Sequence, residues 1–288
     1  MSPLHLSLIL IANLAWAFNF IVLKYGLAHF PALFFTGLRF GIMLLLLFPL
    51  LLRPPPAEVR QLLSIGLVMG VVHFGLMSYG VMVSADVSSV AIATQLYVPF
   101  STLLAVLFLG ERIRWRRTLG IVIAFSGVVV ISFDPAVFNN ILGLVLIALA
   151  ALAIAVSNIQ ISRMRGRVTP MTLQAWIALV ATPALLALSF LFEQGQWQAV
   201  READAVLWLT PVYAAIGSSL VGHGIVSYLL GRYPVSTVTP LMLLTPVLAV
   251  ILGVLLWGDT LTLPLLTGGV MTVLGVTIIV LRSTQRAR

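Results

Sequence analysis

The chain has 288 residues, 61% of them hydrophobic and only 8% charged, with 16 Lys plus Arg against 8 Asp plus Glu. Soluble domains carry about 25% charged residues, so a soluble globular protein is excluded. The absence of Cys excludes disulfides and thiolate metal sites as well.

A helix needs about 20 apolar residues to cross a hydrocarbon core. Reading between charges gives ten candidate spans, at 4 to 23, 31 to 52, 61 to 85, 87 to 109, 114 to 133, 139 to 162, 168 to 192, 205 to 231, 234 to 257 and 261 to 281. The connecting loops leave no space for a soluble domain. The first span is expected to be retained, since no basic segment precedes it and no small-residue cleavage site follows. On it Asn13, Trp16, Ala17 and Phe20 share one helical face, with Asn19 at the edge. An amide beside an indole suits an amino-acid or aromatic ligand; alternatively the amides bond across helices and Trp16 packs.

The second span carries Arg39, which costs about 2.5 to 3.5 kcal/mol on insertion scales, and no span supplies an acid to pair with it. It must meet backbone carbonyls, water or an anionic substrate group. The third span places Gly66, Met69, Gly70, His73, Met77 and Gly80 on one stripe, and the eighth groups Ser219, His223 and Ser227. An imidazole titrates near pH ~6.5, so either His can bind substrate or carry a proton, unless it is simply a satisfied core residue. Tyr79 and Tyr228 are nearby hydroxyl partners.

The fourth and ninth spans hold the densest polar and helix-breaking content: Ser88, Ser89, Thr94, Gln95, Tyr97, Pro99 and Ser101 against Ser236, Thr237, Thr239, Pro240, Thr245 and Pro246. Interrupted helices at matching positions of two halves point to a transporter's binding site. Gln95, Tyr97, Met242 and Thr245 are therefore expected to line a cavity, with Pro99, Pro240 and Pro246 as hinges; a static kink is the alternative. The remaining small-residue pairs, such as Gly120 and Gly127, read as packing surfaces.

The loops alternate sharply in charge. With the N-terminus inside, the inner loops hold Arg53, Arg60, Arg112, Arg114, Arg116, Arg117, Arg163, Arg165, Arg167, Arg232, Arg282, Arg286 and Arg288 against Glu58 and Glu111. The outer loops hold Lys24 and Arg201 against Asp86, Asp134, Glu193, Glu202, Asp204 and Asp259. Positive loops stay cytoplasmic, so both termini are expected inside an inner membrane. The basic residues are topology anchors and not a nucleic-acid surface.

Residues 86 to 131 match residues 234 to 279 at an offset of 148, with 13 of 46 positions identical, including Gly110, Gly120 and Gly127 against Gly258, Gly268 and Gly275, and with Glu111 opposite Asp259. A weaker offset of 139 pairs Asn19 with Asn158, Lys24 with Arg163 and Pro31 with Pro170. Two units follow, 1–138 and 139–288. Five spans is an odd number, so the second unit enters the membrane inverted, as in many secondary transporters.

These features resemble the EamA family of the drug/metabolite transporter superfamily: Arg39 and Phe40 in the second span, Leu-Phe-Leu-Gly-Glu at 107 to 111, Leu-Leu-Trp-Gly-Asp at 255 to 259, and the Gly-bearing fifth and tenth spans. The resemblance covers essentially the whole chain, although the second half lacks the Arg-Phe pair. It implies an all-α integral membrane protein of ten helices in two inverted five-helix repeats around a central cavity, moving metabolites or drugs, commonly outward. Within the family the chain is most similar to the YddG-type exporters of aromatic and other amino acids. Family members with very different substrates share the Arg, which favours a structural role for Arg39; the missing acid favours contact with an anion.

No Walker motif, H-E-x-x-H or G-x-S-x-G is present, and the four His lack metal-ligand spacing. No enzyme activity, cofactor or metal is therefore expected. The expectation is a secondary exporter of small metabolites, amino acids including aromatic ones, working by alternating access. A zwitterion would satisfy its ends with Asn, Gln, Tyr and Thr groups while Trp16 and Met side chains accept its side chain. Proton-coupled export of lipophilic cations is one alternative; an intramembrane enzyme acting on a lipid-linked substrate is another. The expected partners are that small molecule and the lipid bilayer. The sequence leaves the oligomeric state open and is compatible with a monomer.

Overall fold

A computed structural model describes residues 1–52, 57–83, 94–131, 141–257 and 263–284. Asp86, Ser88, Ser89, Arg53, Asp134, Gly258, Asp259, Arg286 and Arg288 lie outside the described residues. Helices come in chain order as α1 (Pro3–Leu27), α2 (Ala32–Leu51), α3 (Val59–Val83), α4 (Tyr97–Leu109), α5 (Trp115–Ile131), α6 (Ile141–Met164), α7 (Pro170–Phe192), the short α8 (Gln196–Glu202), and α9 (Ala205–Leu230). They continue as α10 (Val235–Val238), a 3-10 turn (Thr239–Leu243), α11 (Leu244–Trp257) and α12 (Leu263–Thr284). Among the described residues there is no strand.

Helices α1, α2, α3, α6, α7 and α9 are long and apolar enough to cross a membrane. Shorter apolar helices, Tyr97–Leu109, Thr118–Val130, Val235–Ala249 and Leu266–Ile279, fall within the fourth, fifth, ninth and tenth expected spans. Large apolar side chains such as Leu45, 77% exposed, and Leu191 face outward, as lipid contact requires.

Helix starts are capped in two ways. Ser2, Thr169 and Asp204 accept from the backbone N–H three residues on, and Pro3 and Pro170 occupy first-turn positions where no N–H is needed. α2 and α10 follow Pro31 and Pro234 and have no cap of their own. Instead the Glu193 carboxylate accepts from Leu33 and Phe34 N–H at 2.8 and 3.0 Å. Glu111 likewise accepts from Val235 and Ser236 N–H at 2.8 and 3.1 Å and from the Ser236 hydroxyl. Each capping acid thus comes from the other half of the chain.

Matching helices pack antiparallel. Gly120 of α5 lies against Gly275 and Ile279 of α12, and Gly127 against Gly268 and Thr272, while Gly37 and Gly41 of α2 face Leu186 and Thr182 of α7. Rising numbers on one helix meet falling numbers on the other, the geometry an inverted duplication produces. A Cβ at Gly275 would strike the backbone of Ala124 and Gly120. The loops also sort as their charge suggested: Glu58 pairs with Arg167 at 3.5 Å and Arg163 donates to the Phe108 carbonyl at one end, with Glu193 at the other.

Gly275→Ala is expected to cost about 1 to 3 kcal/mol or more by overpacking against backbone, and to reduce monodisperse yield and melting temperature in detergent. Gly269→Ala, whose nearest neighbour stands at 3.9 Å, should leave both unchanged. Glu193→Ala should destabilise by about 0.5 to 2 kcal/mol, read by the same melting assay, because it strips the acceptor from two helix N–H groups.

Candidate functional site

Two of the membrane helices are not regular. Within α3 the segment Gly66–His73 is π-helical, and within α9 so is Ala214–His223. Both π segments end on a His. A π turn widens the helix and re-aims side chains, and is common at functional sites. The ninth expected span is broken by the 3-10 turn, with Pro240 inside it. Pro99 and Pro246, in contrast, each sit third in a regular helix, α4 and α11, where a missing N–H is harmless. Only Pro240 of the three expected hinges therefore lies in a non-α segment.

These helices enclose a cavity of about 130 Å³. Its wall takes Trp16 and Asn19 from α1, Arg39 from α2, His73 from α3, Gln95 and Tyr97 at the start of α4, His223 from α9, and Met242 and Thr245 from the broken span. The α1 residues lie in that helix's C-terminal half and the α2 residues near its start, so the cavity runs from mid-bundle toward the end where α1 gives way to α2. Toward the opposite end His5 meets the Tyr233 hydroxyl at 2.6 Å and Glu111 caps α10. Between that end and the cavity Asn13 donates to the Leu241 carbonyl at 3.3 Å and accepts from the cavity residue Thr245 at 2.8 Å.

Arg39 is buried, and its partners are neutral. Its Nε donates to the Ser219 hydroxyl at 2.6 Å and one Nη to the Ser218 hydroxyl at 3.3 Å. Its guanidinium also lies over the Phe74 ring at 4.6 Å. A desolvated cation–π contact contributes about 2 kcal/mol, which with the two hydroxyls offsets the cost of burying the charge. Ser219 in turn donates to the Ala214 carbonyl five residues back, following the π pitch.

The aromatic wall is continuous. His223 sits 4.8 Å from the Trp16 ring and 5.6 Å from Phe74. The Trp16 indole N–H donates to the Ser218 carbonyl at 3.1 Å. It can do so because Gly222 has no Cβ, which would collide with the indole. His73 Nδ1 lies 2.8 Å from the Ala150 carbonyl, so it is the protonated nitrogen and Nε2 is left as the acceptor.

Several polar atoms on cavity-lining residues are unpaired. Asn19 Oδ1, Gln95 Oε1 and Tyr97 Oη are buried with no hydrogen-bond partner among the described residues. Leaving such a group unmet costs about 1 to 3 kcal/mol.

Not every expected residue reaches the cavity. Tyr79 is 39% exposed on the outer surface, because its α3 position points away from the bundle. Tyr228 lies away from the cavity beside His5, with Arg232 over its ring at 3.7 Å. Asn13 is consumed by the Leu241 and Thr245 bonds described above. Asn158, the repeat counterpart of Asn19, donates to the Ser101 hydroxyl at 3.3 Å instead. Conversely, Thr36, Phe74, Ser78 and Ser218 line the cavity without having been singled out. The Thr36 and Ser78 hydroxyls meet at 2.7 Å and join α2 to α3. Thr36 could have been found from its place one turn before Arg39; nothing in the periodicity marked Ser78.

Comparison with known proteins agrees with this architecture. The model of the EamA-like transporter family matches twice, over residues 4–133 and 141–281. A probable amino-acid metabolite efflux pump of Salmonella typhimurium (strain LT2) is 31% identical over 93% of this chain and 92% of its own length. Its namesake from Escherichia coli (strain K12) is 29% identical over the same shares, and an uncharacterized transporter of Archaeoglobus fulgidus is 28% identical over 92% and 94%. One solved crystal structure aligns over the full length of both chains with a TM-score of 0.81 at 18% identity, a likeness of fold alone. With the family model matching both halves of a chain built from apolar helices, this multi-pass membrane protein belongs to the EamA-like transporter family.

Proposed function

We propose that this protein is a secondary transporter exporting small metabolites, foremost amino acids including aromatic ones, by alternating access. The observation that carries the reading is the cavity, where ring-lined apolar walls surround the Arg39 guanidinium and no carboxylate among the described residues pairs with it. A carboxylate is attracted to that charge and an apolar side chain to those rings, whereas a lone lipophilic cation is repelled. The Salmonella and Escherichia relatives, named as probable amino-acid metabolite efflux pumps, support the same class and an outward direction.

The cavity reaches toward one end of the bundle, and the His5, Asn13 and Glu111 contacts tie helices on its other side. With both termini cytoplasmic and inverted repeats at 1–138 and 139–288, it faces outward, and the His5, Asn13 and Glu111 contacts form the inner closure. Membrane proton pumps often carry an intramembrane acid; no acid lies within an expected span here. Facilitated movement down the substrate gradient is therefore favoured over proton exchange through His73 or His223.

Purified protein in liposomes is expected to take up labelled phenylalanine, tryptophan and threonine saturably, with rates unaffected by an imposed pH gradient. Flux of a lipophilic cation that follows the pH gradient, without amino-acid flux, would replace this reading with proton-driven drug efflux. A second measurement tests the closure. The chain has no native Cys, so Met242→Cys gives a single reporter in the cavity. Adding Glu111→Ala should raise its labelling from the cytoplasmic side several-fold, because the cap of about 0.5 to 2 kcal/mol holding α10 shut is lost; unchanged labelling would show that Glu111 is no gate.

A further inference from the structure

The polar atoms of the cavity divide by chemistry. Asn19 Oδ1 and Gln95 Oε1 are amide carbonyl oxygens, able only to accept, and neither has a partner among the described residues. Gln95 is 3% exposed and sits just ahead of α4, while Asn19 comes from α1, so two separate segments bring acceptor-bearing residues to the wall of one cavity. Tyr97, 7% exposed, lines the same cavity and its hydroxyl is unpartnered among the described residues. Arg39 offers the opposite. Its Nε and one Nη are engaged by Ser219 and Ser218, and its other Nη forms no hydrogen bond with a described residue.

We propose that Asn19 Oδ1 and Gln95 Oε1 receive the substrate's ammonium group while the Arg39 guanidinium takes its carboxylate, making the cavity selective for an α-amino acid over either half alone. The proposal rests on the amino-acid export reading and assigns its specificity to two named oxygens. Neutral acceptors suit the task better than an acid would. A carboxylate on the cavity wall would compete with the substrate's own carboxylate for the Arg39 charge. An amine lacking a carboxylate meets the repulsion of Arg39 uncompensated. An acid lacking an amine satisfies Arg39 but leaves both amide oxygens buried and unmet.

The test is uptake of labelled phenylalanine into proteoliposomes, with 3-phenylpropionate and 2-phenylethylamine as inhibitors, for the wild type and for Gln95→Leu, Asn19→Leu and Tyr97→Phe. The wild type should prefer phenylalanine over phenylpropionate, and phenylpropionate over phenylethylamine. Gln95→Leu should raise the KM for phenylalanine roughly tenfold, the worth of a hydrogen bond to a charged group, and leave the phenylpropionate inhibition constant unchanged. The preference ratio then collapses by the same factor. Equal weakening of both ligands, an unchanged ratio, or a wild type that binds phenylpropionate as well as phenylalanine would overturn the subsite. Should Gln95→Leu yield no monodisperse protein, Asn19→Leu carries the same ratio test. Tyr97→Phe keeps the ring and should shift the ratio less than either. Phenylalanine flux with an unaltered ratio sinks the subsite alone; a wild type that moves no amino acid sinks the proposed function and the subsite together.

Discussion

Hydrocarbon offers backbone N–H and C=O groups no hydrogen-bond partner, and most of this architecture follows from that. Regular helices meet the demand internally, so the chain is helix nearly throughout its described length. The difficult places are helix starts, where orphan N–H groups remain. Pro31 and Pro234 begin helices without side-chain caps, and the vacancy is met in both cases by a glutamate from the other half of the chain. A local shortage of acceptors thereby becomes a long-range tie between the two repeats, one at each end of the bundle.

Departures from the α pitch occur where the wall of a cavity, and not lipid, receives the freed groups. The π segment of α9 aims Ser218 and Ser219 at Arg39 and leaves the Ser218 carbonyl for Trp16. Its counterpart in α3 ends on His73, which bonds to α6 through Ala150. Arg39 tolerates burial because the same irregular turn supplies neutral oxygens and because Phe74 lies beneath it. The charge is thus held without being cancelled by a described carboxylate.

Sequence counterparts do not share surroundings. Asn19 and Asn158 are counterparts in sequence, yet the first lines the cavity and the second bonds to Ser101. Symmetry in sequence therefore implied a matched pair of cavity residues where the fold places one. Tyr79 and Tyr228 went astray for a simpler reason. Proximity along a helix to His73 and His223 says nothing about facing, and at 100° per residue the neighbour of a cavity residue is turned well away from it.

The membrane class, the six long apolar helices and the duplication were legible directly from residue order, because hydropathy and repeat spacing are properties of short stretches read against the solvent they must meet. Arg39, Trp16, Asn19, His73, Gln95, Tyr97, His223, Met242 and Thr245 stood out for the same reason, as polar or amphipathic groups in apolar runs. Which of the polar groups would find partners was not legible. Asn13, Asn158 and Tyr228 are spent on helix-to-helix bonds, while Asn19 Oδ1, Gln95 Oε1 and Tyr97 Oη are not. That division depends on how helices distant in the chain are rotated and staggered against one another, and on π and 3-10 turns that shift facing by a fraction of a turn. Packing of the assembled bundle sets those quantities, so the spacing of residues within any one span cannot reveal them.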